Sequence, residues 1–364
     1  MTRIGYVHLT TNIYNDMIPV KAFAAQSPTS PLAPFEFERR ELRPNDVLVD
    51  ILFSGVCHSD LHQARDEWGG SMYPMVPGHE IVGKVVRVGS EVKGFKPGDL
   101  TGVGVMVDSC RNCKPCTSYM EQYCVEGMTG TYNGYERDKT TIAQGGYSTQ
   151  IVTDARWVYH VSDRLDLAGV APLLCAGITT YSPLKFAKVK KGDKVAVAGL
   201  GGLGHMGVKF AVAMGAEVTV ISTSKSKEAD AQKLGAHHFI YSKDEQQMKA
   251  AEASFDVVLD AISAPHDYQS NLKLLGLEGK LLVVGLPPEE PKVDPFELIK
   301  NRRCIIGSMI GGTKETQEML DFCAEKNITA DVEVIPMQYI NEAYERMVKN
   351  DVKYRFVIDM GSLR

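Results

Sequence analysis

No apolar run in the chain approaches the roughly 18–20 residues that a membrane span requires. The opening stretch "MTRIGYVHLTTNIYNDMIPVKAF" lacks an apolar core behind a basic end and a small-residue cleavage site, so it does not read as an export signal. A basic stripe is missing as well. The 40 Lys and Arg stand against 45 Asp and Glu, a net charge of −5, and no segment gathers the cations a nucleic acid would need. Tandem repeats and low-complexity linkers are also lacking. These absences argue against membrane and nucleic-acid partners and predict a cytoplasmic protein. Cysteines in that reducing compartment serve more often as metal ligands or catalytic groups than as disulfides.

What is present is an ordinary globular composition, 44% apolar and 23% charged, in 364 residues, enough for two cores. From roughly residue 45 to 160, short β-rich runs broken by glycine, such as "VLVDILFSGV" and "EIVGKVVRVGS", predict a twisted, largely antiparallel domain. After Leu173 strand and helix patterns alternate, as in "KVAVAGLGG", "HMGVKFAVAMG" and "EVTVIS", which predicts an α/β fold with a doubly wound parallel sheet. The expected division is a β-rich catalytic domain over 1–168, to which 309–364 return, and a nucleotide-binding domain over 169–308.

The run "VAVAGLGGLGHMG" places Gly199, Gly201 and Gly204 as GxGxxG between an apolar strand and a helix, with Gly202 and Leu203 inside the turn. Glycines alone mark only a turn, but this context aims backbone N–H groups and a helix N-terminus at a pyrophosphate. A site for NAD carries an acid about 20 residues further on to bind the ribose 2′-hydroxyl. Here stand Ser222, Thr223, Ser224, Lys225, Ser226 and Lys227, which suit a 2′-phosphate and predict NADP. The plainer reading of that segment is a helix cap with solvated lysines.

Of eight cysteines, four crowd into "SCRNCKPCTSYMEQYC". Cys110, Cys113, Cys116 and Cys124, spaced CxxCxxCx7C, would fill a tetrahedral zinc and leave no open position, whereas a ferredoxin cluster wants a shorter last gap. A catalytic zinc draws ligands from several places in the chain and keeps one position open. Cys57, His79 with Glu80, and Cys175 are such candidates, although Cys175 could be a small buried residue and His79 a turn histidine. Cys304 and Cys323 are expected to be buried side chains.

With these residues the sequence resembles the zinc-dependent medium-chain alcohol dehydrogenases, and among them the cinnamyl alcohol dehydrogenase group. The resemblance runs from about Met17 to Met360 through "GVCHSDLH", "PMVPGHEIVG", "CRNCKPC", "PLLCAGITTYSPLK", "GSMIGGTKETQEMLDFC" and "KYRFVIDM". It implies a GroES-like catalytic domain with a Rossmann domain, two zinc ions per chain, NADP, and a homodimer that interconverts primary alcohols and aldehydes, mainly as an aldehyde reductase. It further implies Cys57, His79 and Cys175 as catalytic zinc ligands and Glu80 as an occasional fourth. Ser59 and His62 would form a proton relay, and Thr179 would lie against the nicotinamide. The first sixteen residues extend beyond the usual start of such chains and are expected to be dispensable.

Read without the resemblance, Ser59 could cap the helix "DLHQARDEW" and His62 lie on its surface. Asp60 is expected to orient the metal site. Trp68, Met72 and Tyr132 are candidate pocket walls that could equally be core. The rival readings are a polyol or amino-alcohol dehydrogenase of the same fold and a non-catalytic zinc- and NADPH-binding sensor.

Overall fold

The computed structural model describes residues 17–364, so the N-terminal extension lies outside the described residues. Two sheets organise the chain. The first has seven strands, in the order Val158–His160, Leu100–Val103, Ile81–Val88, Asp46–Gly55, Arg355–Asp359 and Val332–Pro336, with Gln150–Asp154 also paired to Asp46–Gly55. Its pairs are antiparallel except the last two strands, which run parallel to one another. Residues from three distant parts of the chain therefore meet on Asp46–Gly55. That strand is buried along most of its length, including Val47, Val49 and Ile51.

The second sheet is parallel and six-stranded: His238–Tyr241, Glu217–Ser222, Lys194–Ala198, Phe255–Asp260, Leu275–Val283 and Cys304–Gly307. Strand order reverses between Lys194–Ala198 and Phe255–Asp260, the doubly wound arrangement. The strands read "KVAVA", "EVTVIS" and "FDVVLD" because helices cover both faces and every position past the first or second is buried. The last two strands of the chain belong to the first sheet, not to this one.

Between the sheets run Leu167–Val170 and the helix Ala176–Phe186, buried from Ala176 through Leu184. No single described helix is long and apolar enough to cross a membrane. Cys323 is fully buried, but Cys304 departs from expectation: it starts the edge strand Cys304–Gly307, which among the described residues has a partner on one side only, and is partly exposed.

Candidate active site and metal centres

The strand Asp46–Gly55 runs into the helix His58–Ala64, and the turn between them is built around Asp60. Its carboxylate, fully buried, accepts from the N–H of Cys57 (2.9 Å), the N–H of Gly78 (3.1 Å), the hydroxyl of Tyr147 (3.2 Å) and Nδ1 of His79 (3.0 Å). Cys57 is thus the residue that caps the helix, in a box closed by Asp60, and Ser59 lies inside the first turn. The helix ends at Ala64, short of the run to Trp68 that the sequence pattern suggested.

With Nδ1–H of His79 donating to Asp60, the Nε2 lone pair is left for a metal. Cys57, His79, Glu80 and Cys175 bring one donor atom each to within 4.8 Å of one another, the first three buried and Cys175 partly so. The Cys57 and Cys175 sulfurs stand 4.0 Å apart. Two sulfurs at about 2.3 Å from one tetrahedral zinc are about 3.8 Å apart, so the pair fits that ion. The hydrogen bond from Cys175 holds the Cys57 thiol well below its ordinary value against its burial, with Arg355 adding to the effect, and Cys175 is pushed up in turn. A divalent cation would replace the proton the two sulfurs share.

Glu80 pairs with Arg355, and both are buried. Burial pushes the Glu80 carboxyl up to about 7, with Arg355 working the other way. Among the described residues its Oε2 has no hydrogen-bond partner, which suits a carboxylate held ready for an occasional ligand role. Arg355 escaped the sequence reading except as part of a motif. The available signal was an arginine opening the apolar run "RFVID": inside a core strand it needs a buried acid.

His62 follows Ser59 by three positions on the same helix, one turn on. Ser59 Oγ lies 3.6 Å from the Cys57 sulfur. Nδ1 of His62 meets Glu67 Oε2 at 2.5 Å, and its ring stacks on Trp68 at 4.9 Å, with the side chain about a third exposed. Glu67 lies past the helix end, where no periodicity points to it, and the sequence reading missed it. Tyr132 is buried and stacks on His79 at 5.9 Å, while Trp68 is half exposed and Met72 half buried. Thr179 lies one turn after Cys175 on the helix Ala176–Phe186, its N–H on the Cys175 carbonyl at 2.9 Å.

The glycine turn joins Lys194–Ala198 to the helix Gly204–Ala213. Gly199 takes φ +90°, and a Cβ at Gly204 would stand 1.8 Å from the Gly199 carbonyl oxygen. A Cβ at Gly201 would meet nothing within 4 Å, so that position faces open space. Gly202 backs onto Arg355, whose Cδ would be 2.9 Å from a Cβ there, and Leu203 opens the helix.

Ser222 ends the next strand and its hydroxyl accepts from Ser224 N–H, while Ser224 and Ser226 hydroxyls lie 2.8 Å apart. Lys225 covers the Tyr241 ring, and Lys227 reaches back to the Leu200 carbonyl at 2.7 Å. Thr223 is exposed at the bend between them. Glu217, at the start of the strand, is occupied by His238.

The four clustered cysteines form the second centre, again with sulfurs within 4.8 Å. Cys110 and Cys116 are 3.8 Å apart and Cys113 and Cys116 3.4 Å. Backbone N–H groups of Cys110 and Cys113 point at the Cys124 and Cys110 sulfurs, the donor pattern that stabilises thiolates. The lobe is fastened elsewhere through Glu121, whose carboxylate accepts from the N–H (3.0 Å) and hydroxyl (2.8 Å) of Thr313, at the start of the helix Thr313–Lys326.

Two family descriptions match the chain: an alcohol dehydrogenase GroES-like domain over residues 43–163 and a zinc-binding dehydrogenase over residues 202–325. The chain belongs to the zinc-binding alcohol dehydrogenases. Among its relatives, the aldehyde reductase YahK of Escherichia coli (strain K12) is 52% identical, over 94% of this chain and 99% of the relative. The cinnamyl alcohol dehydrogenase of Sorghum bicolor superposes with a TM-score of 0.92 at 44% identity, covering 95% of this chain and 99% of the other. The cinnamyl alcohol dehydrogenase of Helicobacter pylori, solved with NADP(H), gives 0.89 at 45% identity, covering 96% and 100%.

Proposed function

We propose that this zinc-binding alcohol dehydrogenase interconverts primary alcohols and aldehydes with NADP(H), mainly reducing aldehydes of the aromatic, cinnamyl and aliphatic kinds. The observation that carries the reading is the convergence of two sulfurs, an imidazole and a buried carboxylate from three separate segments onto one point. The relatives named aldehyde reductase and cinnamyl alcohol dehydrogenase, and the Helicobacter enzyme's NADP(H), support it. In this reading Cys57, His79 and Cys175 hold the catalytic zinc, Glu80 approaches it at times, and Cys110, Cys113, Cys116 and Cys124 hold the structural one.

When bound, zinc would supply Lewis acidity at the substrate oxygen and NADP(H) the hydride for the carbonyl carbon. The chain's residues bind, orient and move the proton. Asp60 fixes the His79 ring. The Ser59 hydroxyl gives its proton to the substrate oxygen and is refilled from His62, whose ring Glu67 orients and whose partial exposure opens to water. Gly199, Gly201, Gly202, Leu203 and Gly204 receive the pyrophosphate, and Thr179 stands at the nicotinamide. Ser222, Thr223, Ser224, Lys225 and Lys227 serve the 2′-phosphate, with no acid at that strand end to repel it. Trp68 and Tyr132 give the pocket aromatic walls.

The proposed division of labour is a catalytic domain of 1–168 with 309–364 and a cofactor domain of 169–308, in a cytoplasmic homodimer. The half-paired edge strand Cys304–Gly307 and the exposed Phe296 and Ile299 on the helix leading into it suit a second copy.

NADPH oxidation at about 340 nm with benzaldehyde, cinnamaldehyde and a short aliphatic aldehyde tests the reading. Turnover with NADPH, faster than with NADH and lost on chelation, is the expected result, and light scattering of the same preparation is expected to give twice the chain mass. NADPH binding without turnover of any aldehyde would instead mark a sensor.

A further inference from the structure

The loop after the strand Phe255–Asp260, residues 261 to 267, holds polar side chains that the proposed reaction leaves unused. It lies at the C-terminal ends of the parallel strands, where strand order reverses and open sheets take their ligands. Ala261 N–H bonds the Ala198 carbonyl at 3.0 Å, and a Cβ on Gly199 would stand 2.9 Å from Ile262 Cγ1. The loop is therefore one wall of the crevice that the glycine turn faces.

Asp260, 1% exposed, anchors that wall. Its carboxylate accepts from Ile262 N–H (3.1 Å), from Asn271 Nδ2 (2.9 Å) on the helix Tyr268–Leu274, and from His266 Nε2 (2.8 Å). The other ring nitrogen, Nδ1, lies 2.9 Å from the Ala264 carbonyl oxygen. Both nitrogens of His266 thus face acceptors, and a neutral imidazole has a proton for one of them only. The imidazolium satisfies both. Burial works against that charge, but Asp260 and the Ala264 carbonyl outweigh it, with Asp267 adding to them, and the imidazole is held above its ordinary value. The Tyr268 ring lies tilted against the imidazole at 4.9 Å.

We propose that protonated His266 is a positioning residue: it pins loop 261–267 to Asp260 as a wall of the dinucleotide crevice, so that NADPH binds less tightly once that proton is lost. The inference rests on the dinucleotide reading above. A histidine raised in the folded protein contributes fully below its ordinary value of about 6.5, and the contribution is lost as pH rises through the folded value. The wall is accordingly pinned on the acid side and loosened on the alkaline side.

The test is NADPH fluorescence titration of the zinc-loaded full chain and of His266→Gln, from about pH 6 to about pH 9. Glutamine donates one hydrogen bond to Asp260 and has no proton to lose in this range. The 2′-phosphate of NADPH titrates near pH 6 in both proteins, so the difference between the two profiles isolates His266. The expected result is a wild-type Kd that weakens on the order of tenfold more than the variant's across the range, one charge-assisted hydrogen bond, with kcat at saturating NADPH unchanged. Parallel profiles overturn the role of His266 alone. A wild type that binds no NADPH at any pH overturns the dinucleotide reading and this role with it. Should His266→Gln fail to fold, nitrogen-15 spectra of the wild-type histidines decide: a doubly protonated His266 ring at neutral pH supports the pin, and a neutral ring overturns it.

Discussion

Ser59 Oγ, 3.6 Å from the Cys57 sulfur, is within the first turn of its helix and does not cap it. Replacing it therefore removes a hydroxyl next to the metal centre without undoing the cap, which Cys57 and Asp60 form. Ser59→Ala is expected to lower kcat by roughly 10²–10⁴-fold, the usual scale for proton transfer, while the Kd for NADPH and the melting temperature hold. Stopped-flow reduction of benzaldehyde, compared with NADPH fluorescence titration, checks the split. Unchanged turnover would remove Ser59 from the relay.

At this scale the sequence shows the donors but not their partners. That Cys57, His79 and Cys175 would come together was legible, because the donor types that can hold a zinc are few. Arg355 and Glu67 are not, because what each meets lies 275 and five positions away with no periodic rule connecting them.

The glycine turn shows how two residues of one type in one element carry different burdens. A methyl group at Gly204 would collide with the Gly199 carbonyl, so Gly204→Ala must displace backbone. Overpacking of this kind costs about 1–3 kcal/mol or more, and in a chain of this length the melting temperature is expected to fall by roughly 2–4 °C or more. At Gly201 the same methyl meets no atom of the described residues within 4 Å. Gly201→Ala is expected to keep its melting temperature within about 1 °C, since surface substitutions cost little. It obstructs the approach of the pyrophosphate to backbone N–H groups, each such bond to a charged group being worth about 1.5–3 kcal/mol, so the Kd for NADPH should rise tenfold or more. Calorimetry and fluorescence titration separate the two effects, and a Gly201→Ala protein that binds NADPH normally would place the pyrophosphate elsewhere.

The strand, turn and helix around these glycines were legible because the pattern is local, and the alternation of β and α beyond Leu173 predicted the parallel sheet for the same reason. The antiparallel sheet was legible in kind only. Its order depends on Asp46–Gly55 pairing with residues near 150 and near 357, and pairings of such separation leave no mark in a window of sequence.

Over the whole molecule, two clusters of similar donors occupy different mechanical positions. The four-cysteine lobe is tied through Glu121 to Thr313, where the chain leaves the edge of the parallel sheet and starts back toward the first sheet. Tyr123 adds a hydrogen bond from the Met309 N–H (3.2 Å), so the start of that crossing rests on the lobe at two points. Loss of one thiolate there should release the metal and slacken the path between the two sheets. The Cys57, His79 and Cys175 centre is framed independently of any ion, by Asp60 and its four donors and by the pairing of Glu80 with Arg355. Its scaffold should outlast the loss of a ligand. Cys113→Ser and Cys175→Ser are each expected to reduce zinc from about two to about one per chain. The first should lower the melting temperature by roughly 5 °C or more, because metal binding at a closed site is folding free energy. The second should keep the melting temperature within about 2 °C and abolish aldehyde reduction, because an open site supplies chemistry more than structure. Metal analysis, calorimetry and turnover on the same two preparations check this, and equal destabilisation by both substitutions would mean that the two centres share the structural burden.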